Sequence, residues 1–307
     1  MQQITDTILM VRPLHFGFDK ETATNNAFQV NDTSLSKVEI ETIARQEFDL
    51  FVEKLRSAGI RILVIEDTDL PKKPDAVFPN NWFSTHEDGT LITYPLCPPN
   101  RRHERRVDII DYLAEHFQVT KHVRFEYLEK KNQFLEGTGS MIIDRPHQLV
   151  YACRSARTHE VALHHFSQIV GCKSVLFNAS DQNNIPIYHT NVMMALGEDF
   201  VIIVLEAVKN ELERKELLAS FARTNKTVIE LSMEQMLAFA GNMLQVKNKD
   251  GERYLVMSSQ AYDSLKPGQI KQIEQFTNIL HSPIPILEKY GGGSARCMMA
   301  EIFLPED

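Results

Sequence analysis

One order of elements recurs along this chain: a tight hairpin, an amphipathic helix, a short β-branched run. VFPNNWFSTHEDGTLITYP (77–95) turns at Asp88-Gly89 and SMIIDRPHQLVYAC (140–153) at Arg145-Pro146. NVMMALGEDFVIIVLEAV (191–208) turns at Gly197-Glu198-Asp199, and GNMLQVKNKDGERYLVMSS (241–259) at Asp250-Gly251. Turn residues between apolar runs of strand character mark β-hairpins. The turns are roughly 50 residues apart, a period typical of repeat architectures.

Helical spacing follows the hairpins. Val107, Ile110, Leu113 and Phe117 share a predicted face, as do Ile270, Ile273, Phe276 and Leu280. Ile40, Ile43, Ala44, Phe48, Phe51, Val52 and Leu55 form a wide apolar stripe near the start, which reads as core packing. The runs RILVIE (61–66), KSVLFNA (173–179) and TVIEL (227–231) close units as strands. The first unit offers one strand, TILMVRP (7–13), and no hairpin partner, whereas MMAEIFL (298–304) is a spare strand at the end. If the two pair, a ring of five units closes and the hairpin starts point inward.

The remaining composition narrows the class. Apolar residues make up 43% and charged residues 24% of 307, an ordinary globular balance. We read residues 1–307 as one domain. The net charge of −8 argues against a nucleic-acid partner, which calls for clustered Lys and Arg. NRRHERR (100–106) is short and reads mostly as a helix start with solvated charges. No run reaches the roughly 18 apolar residues of a membrane span, and the first residues lack a signal-peptide pattern. Cys97, Cys153, Cys172 and Cys297 form no CxxC pair, so neither a metal site nor a disulfide framework is expected. A reducing cytoplasm is the simplest compartment.

Ring closure would gather PDAVFPNNW (74–82), LEGTG (135–139), YHTNV (188–192) and GGGSARC (291–297) at one centre. Cys297, His189 and Glu136 are the parts of an activated-thiol site: a nucleophile, a proton carrier and a carboxylate that orients it. Taken singly, each has an ordinary reading: a core cysteine, one histidine among 11, a glutamate at a turn. Together and in order, they resemble the guanidino-group modifying enzymes, the amidinotransferase or pentein superfamily. PDAVFPNNWFSTHEDGTLITYP…NRRHE resembles a dimethylargininase segment, RSARTHE (154–160) the family's Arg-Thr-Asn segment, and YHTN the His-x-Asp of deiminases. The whole is most similar to the citrulline-utilisation hydrolase branch.

That resemblance implies an α/β fold, a five-bladed propeller of ββαβ repeats with pseudo-fivefold symmetry. It implies Cys297 as nucleophile with a covalent thiouronium- or thiocarbamate-type intermediate, His189 moving protons and Glu136 holding it. Asp75 stands where relatives contact the substrate, and Arg101 and Arg157 match arginines that clasp an α-carboxylate, although Arg101 also reads as a solvated charge beside Arg102. No cofactor or metal is implied. The partner is a small amino-acid substrate, and a homo-oligomer stays open. If the thiolate rests beside a protonated His189, activity should follow a bell-shaped pH curve; a thiolate formed only on substrate binding is the other case.

The chain departs from its relatives at Asn81, where they carry Asp, and at Asn191, where deiminases carry Asp. Two fewer negative charges suit a neutral ureido head, because an amide both donates and accepts. The expected reaction is hydrolysis of citrulline to ornithine, ammonia and carbon dioxide, or passage through such a ureido group. An arginine- or agmatine-type deiminase, a dimethylargininase, an amidinotransferase and a non-enzymatic ribosome-binding propeller are the alternatives. Either Asn could also point away from the pocket.

Overall fold

A computed structural model describes residues 1–306. Its fifteen strands form five three-stranded sheets, each a blade of a ring. The first blade holds β1 (Thr7–Arg12) and β2 (Arg61–Glu66). The second holds β3 (Phe83–Thr85), β4 (Thr90–Thr93) and β5 (Lys121–Arg124). The third holds β6 (Ile142–Asp144), β7 (Leu149–Cys153) and β8 (Lys173–Phe177). The fourth holds β9 (Met194–Leu196), β10 (Phe200–Ile203) and β11 (Thr227–Glu230). The fifth holds β12 (Leu244–Lys247), β13 (Arg253–Ser258) and β14 (Asn278–Ser282). The spare strand β15 (Ala300–Glu301) returns to the first blade.

Every blade has the same order. The middle strand pairs antiparallel with an inner strand and parallel with an outer one; β4, for example, is antiparallel to β3 and parallel to β5. A parallel pair needs a crossover, and the helices supply it. In the first blade β15 takes the inner place, with Ile8 opposite Glu301, so the last strand closes the ring. Thr5 Oγ1 donates to Ile302 O at 2.7 Å, and Thr85 Oγ1 donates to Glu301 O at 2.9 Å, tying that strand to both neighbours.

Local chemistry explains the elements. Ser36 and Glu39 form a reciprocal capping box for the helix Lys37–Ser57. Of its predicted stripe, all but Ile43 are buried. The helix Glu160–Val170 stops at Gly171, which takes φ +72°. Two predicted faces are corrected. Val107 is the first residue of its helix and is exposed; Ile109 and Leu113 carry the burial instead. Leu280 lies on β14, because the helix Pro267–Ile273 ends after two turns and the chain re-enters the sheet. Among the described residues no helix is long and apolar enough to cross a membrane.

The hairpin starts converge on the axis. Gly137 sits there with φ +47°, and a Cβ at that position would lie 2.2 Å from the Asn80 carbonyl oxygen. Neither the dihedral nor the space admits a side chain. We predict that Gly137→Ala destabilises the protein by more than about 1 kcal/mol, read as a melting-temperature drop of more than about 2 °C; unchanged melting overturns the packing described.

Candidate active site

The hairpin starts, with the segments that follow β4 and β7, bring all eight expected residues together. Asp75, Asn81, Arg101, Arg157, His189 and Cys297 line one small cavity with Phe78, Tyr188 and Gly291–Gly293. Asn191 and Glu136 stand directly behind, touching Cys297 and His189. As folded, the cavity leaves space for about one water.

Glu136 is fully buried and is the hub of the charges. Its Oε2 lies 2.8 Å from His189 Nε2 and 3.4 Å from Arg157 Nη1; Oε1 accepts from the Cys97 backbone N–H at 2.9 Å. Burial works against its charge, but Arg157, the His189 hydrogen bond and Arg101 outweigh it, and its pKa is held well below the usual carboxylate range. Burial dominates at His189, pushing it down to about 4 despite Glu136, with Arg157 and Arg101 adding to the fall. The free site therefore holds a neutral imidazole against a carboxylate, which favours, of the two cases the sequence left open, the one without a protonated His189 at rest.

Cys297 lies in a 3-10 turn, Ala295–Met298, and is 3% exposed. Two amides hold its sulfur: Asn191 Nδ2 at 3.3 Å and Asn242 Nδ2 at 3.2 Å. The oxygens of both amides are buried without a hydrogen-bond partner. Asn191 thus faces the centre. Asn81 accepts from Arg101 Nη1 at 2.9 Å and donates to Asn80. Asp75 Oδ2 has no hydrogen-bond partner, and burial pushes Asp75 up to about 6 against the opposing pull of Arg101.

Neither arginine is a free fork. Arg101 is buried, which excludes the solvated reading, and binds Glu104 through Nε and Nη2, both at 2.8 Å. Arg157 donates through Nε and Nη2 to Asn25 Oδ1 and through Nη2 to Thr22 O. Those acceptors belong to a strap between β1 and the first long helix. The strap also reaches the glycine loop: Gln29 Nε2 donates to Gly291 O at 3.0 Å and Asn26 Nδ2 to Gly292 O at 3.3 Å.

Sequence reasoning missed Asn242, Glu104, Tyr188 and the strap. Asn242 had a signal: it opens the last hairpin, the one inner start left out of the gathering. Tyr188 donates to Gly292 O at 2.6 Å and lies against His189, with ring centroids 4.7 Å apart. Glu104 lies i+3 from Arg101 in a 3-10 segment, a pairing hidden inside a run of charges. Among the described residues no group of three His, Cys, Asp or Glu has metal-binding geometry.

The His189 shift has a definite sign. Its folded pKa of about 4 lies below the ordinary value of 6.5, so protons favour the unfolded chain, and stability falls as pH drops from about 6.5 to 4, by up to roughly 3 kcal/mol. We predict that His189→Gln flattens the decline in melting temperature across that window; an unchanged slope contradicts the burial effect.

A family model described as "N,N dimethylarginine dimethylhydrolase, eukaryotic" matches residues 12–304. No curated protein sequence matches the chain. Among solved structures, apo ArgZ, an arginine dihydrolase from the ornithine-ammonia cycle in cyanobacteria, is similar with TM-score 0.75 and 15% identity. This chain is 98% covered there but spans only 41% of ArgZ. The N-terminal domain of ArgZ bound to product gives TM-score 0.74 and 16% identity, covering 99% of this chain and 100% of that one. A dimethylarginine dimethylaminohydrolase adduct with S-methyl-L-thiocitrulline gives TM-score 0.66 and 13% identity, covering 97% and 99%. These structures share the fold. By its family match over nearly the whole length, the chain belongs to the N,N-dimethylarginine dimethylhydrolase family of the pentein superfamily.

Proposed function

We propose that this chain hydrolyses a ureido amino acid, citrulline, to ornithine, ammonia and carbon dioxide. The observation that carries this reading is the neutral surround of the thiol: two amides touch Cys297, and each keeps an oxygen without a partner. At the amides a guanidinium would lack carboxylates and would rely on Asp75 alone to match its charge. A ureido head needs both donors and acceptors, and amides supply both.

The residues divide the work. Cys297 transfers its proton to neutral His189 as it attacks the ureido carbon. The ammonia that leaves takes a proton from His189, and a thiocarbamate remains on the sulfur. His189 then accepts a proton from water as the water attacks, which breaks the C–S bond and releases a carbamate. Loss of carbon dioxide from the carbamate gives ornithine. Glu136 fixes the ring of His189 and stabilises its charged form. Asp75 accepts from substrate N–H groups. Arg157, with Arg101 beside it, receives the α-carboxylate once the substrate displaces Asn25 of the strap.

A guanidino substrate is the second reading, favoured by the family match and by the arginine dihydrolase and dimethylarginine dimethylaminohydrolase among the structural neighbours. Ammonia and amine release from citrulline, arginine and dimethylarginine separates the two, with Cys297→Ala as blank. Ornithine from citrulline is the expected product; arginine or dimethylarginine hydrolysis without citrulline turnover overturns the ureido reading. Asn191→Asp should lower kcat/KM for citrulline by on the order of 10–100-fold, through repulsion beside the sulfur and a lost donor. An unchanged value removes Asn191 from the site.

A further inference from the structure

A second cavity lies on the ring axis, farther along the inner strands that follow the active-site residues. Ile142 and Ile143 of β6, Leu196 of β9, Leu244 of β12 and Glu301 of β15 help to wall it. It holds roughly two or three waters' worth of space. Two buried arginines line it, Arg145 and Arg296, each 5% exposed.

Arg296 is satisfied. Its Nη1 donates to Met299 O at 2.8 Å and its Nη2 to Glu301 Oε2 at 2.7 Å. Arg145 is not. Among the described residues its side chain makes one hydrogen bond, Nη1 to His86 Nδ1 at 3.4 Å, and no carboxylate of those residues comes within 4.0 Å. The guanidinium lies over the Phe303 ring, 3.8 Å from its centroid. His86 brings no charge, because burial and then Arg145 push it down to about 3. The cavity therefore has two guanidinium charges against one carboxylate. A buried cation without an anionic partner is costly, and a planar guanidinium suits a halide or a small oxyanion.

We propose that this axial cavity is a binding site for one small monovalent anion, of chloride or bicarbonate size, held by Arg145 with Arg296 beside it. The space excludes nucleotides and amino acids. Arg296 immediately precedes Cys297, so the anion also steadies the turn that carries the thiol. The site is independent of which substrate the catalytic face accepts.

The test uses the full chain in sodium gluconate, whose anion is too large for the cavity. Titration with sodium chloride, formate or bicarbonate at constant ionic strength should raise the melting temperature saturably, by about 3–5 °C at 0.1 M. Arg145→Met should abolish that rise, whereas Arg253→Gln on the surface should keep it. If Arg145→Met fails to fold, Glu301→Gln serves instead: removing the competing carboxylate should tighten anion binding by about 10-fold. A bromide soak should place an anomalous peak beside Arg145. A rise matched by gluconate, a rise that survives Arg145→Met, or unchanged affinity in Glu301→Gln overturns the site.

Discussion

A single buried carboxylate organises this protein. Glu136 has no exposed surface, yet it gathers His189, Arg157 and the Cys97 backbone N–H, with Arg101 3.8 Å away. Those groups come from the second, third and fourth blades. A charge this deep persists only when several donors converge on it. The hub therefore demands that the blades meet at one place, and it fixes the imidazole at the same time. Arg157 extends the demand to the strap through Asn25 and Thr22.

The ring makes that convergence available. Each inner strand begins near the axis just after a residue of the site: Glu136 precedes β6, His189 precedes β9, Asn242 precedes β12 and Cys297 precedes β15. The first blade lacks its own hairpin and borrows its inner strand from the chain end, so the nucleophile arrives on the segment that closes the ring. Fold closure and assembly of the site are one event here. The same strands continue beyond the site, which puts the axial arginine pair directly behind the thiol's own loop.

The electrostatics follow from burial more than from pairing. His189 is held neutral although it touches a carboxylate, because desolvation of the imidazolium outweighs the pull of Glu136 and the nearby Arg157 and Arg101 repel it further. Burial also pushes Glu104 up to about 7, even with Arg101 bound to it in two places. Such a site is poised to rearrange its protons when a substrate expels the last water.

The sequence by itself determined the repeat, the strand runs, the orphan first strand and the order Glu136, His189, Cys297. Hairpin turns and helix stripes are local chemistry, set by residues within a few positions of one another, and a periodic pattern exposes them. Its local failures, Val107 and Leu280, came at helix ends, where spacing no longer says which face is covered. Only the tertiary structure decided the state of the site. Asn242 on the sulfur, Asn81 on Arg101, the strap over Arg157 and the neutral His189 depend on contacts between segments 20 to more than 130 residues apart or on depth below the surface. Neither distance through space nor exclusion from water is written in the identity of the next residue.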